Sequence, residues 1–327
     1  MRADLAGDRN VNLTSFWDGS AWHLWIPKPD GTLLPMRPLG CGEASYLGRE
    51  PADPNDIHSR FADFVWRRAS WADVAHWQGA MIEDVHQLAA SIAKINFFWR
   101  MREHAPALVL ARFASSEIEY LLTVCRSAFD LLQESIRRVC AHLRVGDARQ
   151  RGKKALPDSF REMVMSSGAL MSAEQIATTR GVPMPLAEAY AAGGAFFSLL
   201  RGLRDGIVHG GREAPYAMTT DRGFIIRRDS AFAALPIWKD EHLFNEQAVS
   251  LRPALAYVVG TTLATCDTFA EALGRSFEFP PDLAPGYRLF IRSADGSALT
   301  ALQQVRSGGS PWWTADGEAA PPTRGCG

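Results

Sequence analysis

The segment ALVLARFASSEIEYLLTVCRSAFDLLQESIRRVCAHLR, residues 107–144, has the strongest hydrophobic periodicity in the chain. Its apolar side chains recur every three to four residues, at positions 118, 121, 122, 125, 129, 132, 136, 139 and 143. This spacing predicts one long amphipathic helix with its apolar face turned toward a core. Ser116 followed by Glu119 has the pattern of an internal capping box, so the alternative is a helix interrupted near residue 115.

Other stretches also have helical spacing and predict a mainly helical protein. We expect helices at about 59–103, 159–167, 173–180, 186–209 and 245–276. Ser172 and Gln175 have the pattern of a capping box at one helix start, and Gly181 suits the end of the same helix. Pro106 marks a boundary or a first helical turn before the long helix.

Short β elements are expected outside these helices. WHLWIPKPDGTLLPM, residues 22–36, has two β-prone runs around Asp30-Gly31, which predicts a hairpin, and a second hairpin is expected over 286–305 around Asp295-Gly296. RGFIIRR, residues 222–228, is expected to be extended. The tail from residue 307 has the composition of a disordered end, with docking of Trp312 and Trp313 as the alternative.

These elements predict an all-α fold with small hairpin extensions at both ends. We place an N-terminal extension with a linker at 1–57, a helical domain at 58–277, and a C-terminal hairpin and tail at 278–327. The linker is assigned because residues 37–57 are rich in Gly, Pro and Asp.

Composition narrows the possible functions. The formal net charge of -1 gives no overall attraction to nucleic acid, so binding of a polyanion must depend on local clusters. The five cysteines are far apart and are expected to be reduced, and no Cys-x-x-Cys or His-x-x-x-His pattern supports a metal site. We expect no metal and no cofactor. With no apolar leader or membrane-spanning run, the expected location is cytoplasmic, without membrane contact.

The segment LLRGLRDGIVHGG, residues 199–211, contains the polar residues best suited to catalysis. Residues four apart share a helix face, so Arg201, Asp205 and His209 form one row, and the long side chain of Arg204 can reach the same helix end. Histidine can take a proton from a ribose 2′-hydroxyl, and a guanidinium can stabilise charge on a phosphate. The alternative is a surface ion pair of Arg201 and Asp205, with His209 at the helix C-terminus.

Two glycines favour a functional interpretation of this segment. Gly202 and Gly206 each cost about 0.8–1 kcal/mol relative to alanine inside a helix. Their presence indicates that a second helix or a nucleic acid backbone packs closely on this turn.

The loop RVGDARQRGKKALPD, residues 144–158, is basic and is a candidate phosphate-binding patch. Its candidate RNA-binding residues are Arg149, Arg151, Lys153 and Lys154, to which Arg201 is added from the helix. A solvated surface loop is the alternative.

The stretch LRDGIVHG, residues 203–210, resembles the signature of the HEPN superfamily of helical domains. In that signature an arginine and a polar residue are followed four to six residues later by a histidine near the start or end of the final core helix. Arg204 matches the arginine, Asp205 the polar residue and His209 the histidine. The resemblance covers about residues 107–276 and implies a HEPN-like helical bundle.

The resemblance also implies an activity. Many HEPN proteins are metal-independent endoribonucleases of toxin, antiphage and RNA-processing systems, with two motifs facing each other across a homodimer. For this chain it implies a homodimeric hydrolase of RNA that uses Arg204, Asp205 and His209, with a possible antitoxin or other partner protein. The alternative is a non-catalytic helical dimer that binds RNA, a nucleotide or a partner protein through the same cleft.

Overall fold

The computed structural model describes residues 9, 14–28, 30, 32–38, 44–143, 156–208, 216–293 and 296–314. The α-helices in these ranges are α1 (Arg60–Arg68), α2 (Ala72–Arg100), α3 (Ala107–His142), α4 (Phe160–Val164), α5 (Ala173–Arg180), α6 (Met184–Val208), α7 (Leu251–Ser276) and α8 (Ser297–Gly308). The strands are β1 (Ser15–Trp17), β2 (Trp22–Pro27), β3 (Leu33–Met36), β4 (Ala44–Gly48), β5 (Ile57–His58), β6 (Met165–Ser166), β7 (Ala169–Leu170), β8 (Met218–Thr220), β9 (Gly223–Arg227), β10 (Leu243–Asn245), β11 (Ala248–Ser250) and β12 (Arg288–Arg292).

The prediction of an all-α fold is wrong, because the strands build three sheets. About 58% of the described residues are helical and 16% lie in strands, which makes the fold mixed α/β. One sheet has six strands in the order β3-β2-β1-β4-β12-β5, with β1 and β4 parallel. A second has four strands in the order β10-β11-β9-β8, and β6 pairs with β7 alone.

The six-stranded sheet was missed because its central pairing joins distant parts of the sequence. β4 pairs with β12, which places Leu47 opposite Leu289, and both side chains are buried. A pairing across more than 200 residues leaves no local turn signal of the kind that predicts a hairpin. The sheet therefore joins residues that the sequence assigned to the two terminal extensions.

The helices α3, α5 and α6 agree with their predicted positions, whereas the helix expected at 59–103 is two helices, α1 and α2, which are separated at residues 69–71. α3 is continuous through Ser116 and Glu119, so the interrupted-helix alternative is wrong. The buried face of α3 runs on through Ile118, which favours continuation over a cap at this point. The predicted capping box of Ser172 and Gln175 starts α5, and Gly181 ends it in the left-handed conformation at φ 67°.

One hairpin is confirmed and the other is wrong. β2 pairs with β3, with Ile26 opposite Leu34. The segment after Gly296 is helix α8, in which Leu299, Leu302 and Val305 are buried. Three apolar residues at a spacing of three fit one face of a helix, and β12 takes its partners from β4 and β5.

The sequence also placed the start of α7 too early. RGFIIRR forms β9, as predicted, but β10 and β11 occupy most of 243–250 and α7 begins at Leu251. The short strands between α6 and α7 make a sheet of their own, of which only β9 was expected.

The C-terminal segment is docked as far as residue 314, so its prediction as disordered is wrong there. Trp312 is only 3% exposed, and its indole Nε1 donates to Asn96 Oδ1 at 3.3 Å. Its ring contacts those of Trp99 and Phe224, both with centroids at 6.1 Å. Residues 315–327 of the predicted tail lie outside the described residues.

The core lies between the helices, and the cysteines found there are reduced. Side chains of α1, α2, α3, α6, α7 and α8 form one contiguous apolar cluster. Cys125 and Cys266 are buried free thiols and Cys140 is a half-buried one, as the sequence predicted. Cys41 and Cys326 lie outside the described residues.

Candidate functional site at the end of helix α6

The predicted motif lies on the last turns of α6. The apolar face of this helix packs against the core. Phe196, Phe197, Leu200 and Leu203 are buried at helical spacing. This face orients the helix, so Arg201 and Arg204, one turn apart, are left half-buried at its edge. The described part of the chain thus places the two arginines side by side.

The other motif residues are described less completely. Asp205 belongs to α6, but its side chain lies outside what the structure describes. His209 follows Val208, the last residue of α6, and lies outside the described residues with Gly210 and Gly211. The predicted approach of His209 to Arg204 therefore stays a prediction.

The direction of α6 is set by its contacts with α3. Tyr190 donates its hydroxyl to Gln133 at 2.7 Å, and the Arg126 guanidinium lies 4.6 Å from the ring centre of Phe197. The residue numbers fall along α3 as they rise along α6, so the two helices are antiparallel. The end of α6 with Arg204 therefore points toward the first turns of α3.

The chain after the motif returns to the same place. The backbone N–H of Ala217 donates to the buried Ser115 Oγ at 3.1 Å, and Thr219 Oγ1 donates to the Ala107 carbonyl at 3.1 Å. The two described ends of the segment that contains His209 thus lie beside the first half of α3. Sequence reasoning missed this anchor, because a serine inside a long helix gives no sign that it binds a remote backbone.

The described residue Pro157, at the end of the predicted basic loop, lies away from Arg204. Arg149, Arg151, Lys153 and Lys154 lie outside the described residues. Just after them, the Pro157 carbonyl accepts from Gln133, the residue that also binds Tyr190. Arg204 is 14 residues beyond Tyr190, about 21 Å at the helical rise. A role of these four residues in RNA binding stays a prediction.

Gly202 lies exposed between the two arginines and is not covered by any described part of the chain. A methyl group built on its Cα would meet no described atom within 4 Å. The sequence indicated that a second helix or a nucleic acid packs on this turn. Among the described residues no helix does so, and the packing of a nucleic acid on this turn stays a prediction.

Burial raises the pKa of two carboxyls, and both lie outside the predicted motif. Burial raises the pKa of Asp84 on α2 to about 6, with a smaller contribution from Glu83. Burial also raises the pKa of Asp267, which caps α1 by accepting from the Phe61 N–H at 3.2 Å. Asp84 Oδ2 accepts no hydrogen bond from a described residue. Shifted pKa values often mark functional sites, but these two belong to half-buried carboxyls on α2 and α7.

Asp84 should make the protein less stable as the pH rises from about 4 to 6. Its folded-state pKa is raised, so the folded state favours the protonated form, and this contribution is lost as the carboxyl ionises. The loss is on the order of 2 kcal/mol. Urea unfolding across this pH range should show a larger decrease in wild type than in Asp84→Asn, in which only the contribution of Asp84 is removed. Equal pH profiles of the two chains would contradict the assignment.

Within the described ranges, no group of three or more His, Cys, Asp or Glu side chains is arranged to hold a metal ion. No helix in those ranges has both the length and the apolar character needed to span a membrane.

Comparison of the chain with protein-family profiles, with curated proteins and with solved structures found no match.

Proposed function

We propose that this chain is a HEPN-like, metal-independent endoribonuclease that acts as a homodimer, in keeping with a toxin or antiphage role. The observation that carries the proposal is the pair of half-buried arginines near the end of α6, Arg201 and Arg204, which flank a Gly202 that no described part of the chain covers. The motif in the sequence adds His209 one residue beyond that helix. An uncovered glycine between two arginines leaves room for a phosphate backbone or a second copy.

In the proposed reaction, His209 removes the proton of a ribose 2′-hydroxyl. The 2′-oxygen then attacks the adjacent phosphorus, the bond to the 5′-oxygen breaks and the leaving oxygen takes a proton from water, which leaves a 2′,3′-cyclic phosphate and a 5′-hydroxyl. Arg204 stabilises the negative charge that develops on the phosphate oxygens. Asp205 orients the imidazole through its other nitrogen and favours the tautomer that acts as a base.

A homodimer is proposed because one chain provides few catalytic side chains. One Arg204 and one His209 form a sparse site, whereas a two-fold axis near α6 brings two of each to a single cleft. A chain that stays monomeric at micromolar concentration in light scattering would remove this part of the proposal.

RNA cleavage in EDTA tests the activity. The full chain should cut a mixed-sequence RNA in excess EDTA and leave the DNA of the same sequence intact, because DNA lacks the attacking 2′-hydroxyl. A requirement for Mg²⁺ or cleavage of both polymers would overturn the proposal. RNA binding without cleavage would favour the non-catalytic alternative.

Gly202→Ala should separate folding from function. An alanine at an exposed helix position should raise the free energy of unfolding by about 0.5–1 kcal/mol, as measured in urea. The same methyl group should hinder close approach to α6 and lower both dimerisation and cleavage.

Gly79→Ala is the matched control. Gly79 is exposed in the third turn of α2 and also has no described atom within 4 Å of an added methyl group. It should give a similar gain in stability with no change in cleavage. If Gly202→Ala also left dimerisation and cleavage unchanged, the surface around Gly202 would not be the contact surface.

A further inference from the structure

Helices α2 and α3 run antiparallel, with Lys94 bound to Glu117 and Gln87 to Tyr120, and form a helical hairpin. The tip of this hairpin exposes aromatic side chains that no other described part of the chain covers. Phe97 is 52% exposed, Phe113 49% and Val109 41%. The half-buried Phe98 connects them, with ring centres 6.3 Å from Phe97 and 5.5 Å from Phe113. Large apolar side chains grouped on a surface mark an interaction site more often than scattered ones.

Two exposed arginines accompany these rings. Arg100 lies three residues after Phe97 on α2, and Arg112 lies three residues after Val109 on α3, so each shares a helix surface with its neighbour. Neither guanidinium makes an ion pair or hydrogen bond with a described residue. We call Phe97, Phe98, Val109, Phe113, Arg100 and Arg112 the hairpin-tip patch.

The acidic side chains closest in sequence to the hairpin-tip patch are already engaged. Glu117 accepts from Lys94 at 3.1 Å and from Ser91 at 2.9 Å, and Glu103 lies 3.6 Å from Arg102. Glu119 is exposed two turns beyond Arg112, outside the patch. Arg100 and Arg112 therefore have no ion-pair partner among the described residues, and with the aromatic rings beside them the patch is complementary to an anionic ligand with flat apolar groups.

The hairpin-tip patch lies at the end of the molecule toward which the candidate site points. α6 runs antiparallel to α3, and Ala217, which follows the motif segment, binds Ser115 less than one turn from Phe113. Arg204 is seven residues beyond Phe197, which contacts Arg126, so it lies near the level of residue 119. Arg112 is seven residues further along α3, about 10 Å at the helical rise.

We propose that the hairpin-tip patch binds single-stranded RNA, with bases stacked on Phe97 and Phe113 and phosphates held by Arg100 and Arg112. Stacking of bases on aromatic side chains beside basic groups is how proteins bind single strands without reading sequence. A second copy of the chain on a two-fold axis through this surface would bring like charges together. This inference rests on the proposed nuclease function. It specifies that the substrate is single-stranded and that the strand passes beside α6.

Binding of a non-cleavable RNA tests the hairpin-tip patch. Fluorescein-labelled 2′-O-methyl oligouridine cannot undergo 2′-hydroxyl attack, so its affinity for the full chain can be measured by anisotropy in EDTA. Phe97→Ser with Phe113→Ser should weaken binding about tenfold or more. Arg100→Gln with Arg112→Gln should weaken binding and reduce the slope of log affinity against log salt by about 0.7 for each lost phosphate contact.

Met184→Ser with Arg161→Gln is the matched control, because it removes one exposed apolar and one exposed basic side chain elsewhere. It should bind the oligomer as wild type does. Both patch pairs change exposed side chains, and urea unfolding should show that each variant is folded.

The possible outcomes separate the hairpin-tip patch from the nuclease. If both double variants of the patch bind the oligomer with wild-type affinity, the patch is not an RNA-binding site, even if unmodified RNA is cleaved. Loss of affinity in both pairs supports the patch, even if no RNA is cleaved and the nuclease proposal fails. If the patch pairs instead lose binding to phosphatidylserine vesicles or lose self-association while keeping RNA affinity, the surface serves a membrane or a second copy and the proposal is wrong.

Discussion

His209→Ala and Arg204→Ala should each lower the rate of RNA cleavage by about 100-fold or more. A general base and an electrostatic stabiliser of the transition state each contribute about that much when removed. The two losses should not multiply in the double variant, since both groups act on the same transition state. The rate is measured with saturating RNA in EDTA.

Arg201→Ala is the internal comparison for these variants. Arg201 lies one turn before Arg204 and is assigned to substrate binding, so its loss should raise KM more than it lowers kcat. Urea unfolding should show that Arg204→Ala and His209→Ala remain folded. If both kept wild-type cleavage, the assignment of the site would be wrong and His209 would be a residue at a helix end.

Trp312→Ala should lower the free energy of unfolding by about 3 to 5 kcal/mol. The side chain is almost fully buried against Trp99 and Phe224, and truncation of a buried tryptophan removes its transfer free energy and leaves a cavity. Urea unfolding measures the change.

Trp313→Ala is the control for Trp312. It is half-buried, stacks with Arg222 at 4.8 Å from its ring centre, and donates to the Glu241 carbonyl at 3.3 Å. A cation–π contact of this kind contributes about 0.5–1 kcal/mol, so the loss should be much smaller. Equal, small effects of the two substitutions would contradict the docking of the C-terminal segment.

Elements stabilised by neighbouring residues could be predicted from the sequence. Ser172, Gln175 and Gly181 set both ends of α5 through contacts within a few residues, and their pattern is visible in the sequence. The hairpin of β2 and β3 is equally local. The pairing of β4 with β12 is not, because it depends on how the whole helical core brings two distant strands together.

The C-terminal segment shows the same limit. Trp312 docks against Gly223, where φ is +127° and an added Cβ would lie 2.8 Å from the indole. Only glycine leaves this space, yet nothing in the sequence near either residue connects them. A tail rich in Gly, Pro and Ser was therefore predicted to be disordered although two tryptophans hold it in place.

For the candidate site, the sequence could predict the position of the motif but not its surroundings. Arg204 lies near the end of α6 because the apolar spacing and the glycines that follow locate that end. The contact of Ala217 with Ser115 and the exposure of Phe97 and Phe113 depend on which faces of α2 and α3 other elements cover. Periodicity identifies an apolar face, but it does not tell which apolar side chains beyond that face stay exposed.

The ends of the RNA fragments test the proposed reaction most directly. Cleavage in EDTA by the wild-type chain should leave a 2′,3′-cyclic phosphate on one fragment and a 5′-hydroxyl on the other, as read by mass spectrometry. An RNA with a single 2′-O-methyl group at a mapped cleavage position should resist at that position alone. Fragments with 5′-phosphate and 3′-hydroxyl ends, or cleavage that ignores the 2′-O-methyl group, would contradict attack by the 2′-hydroxyl and with it the proposed roles of His209 and Arg204.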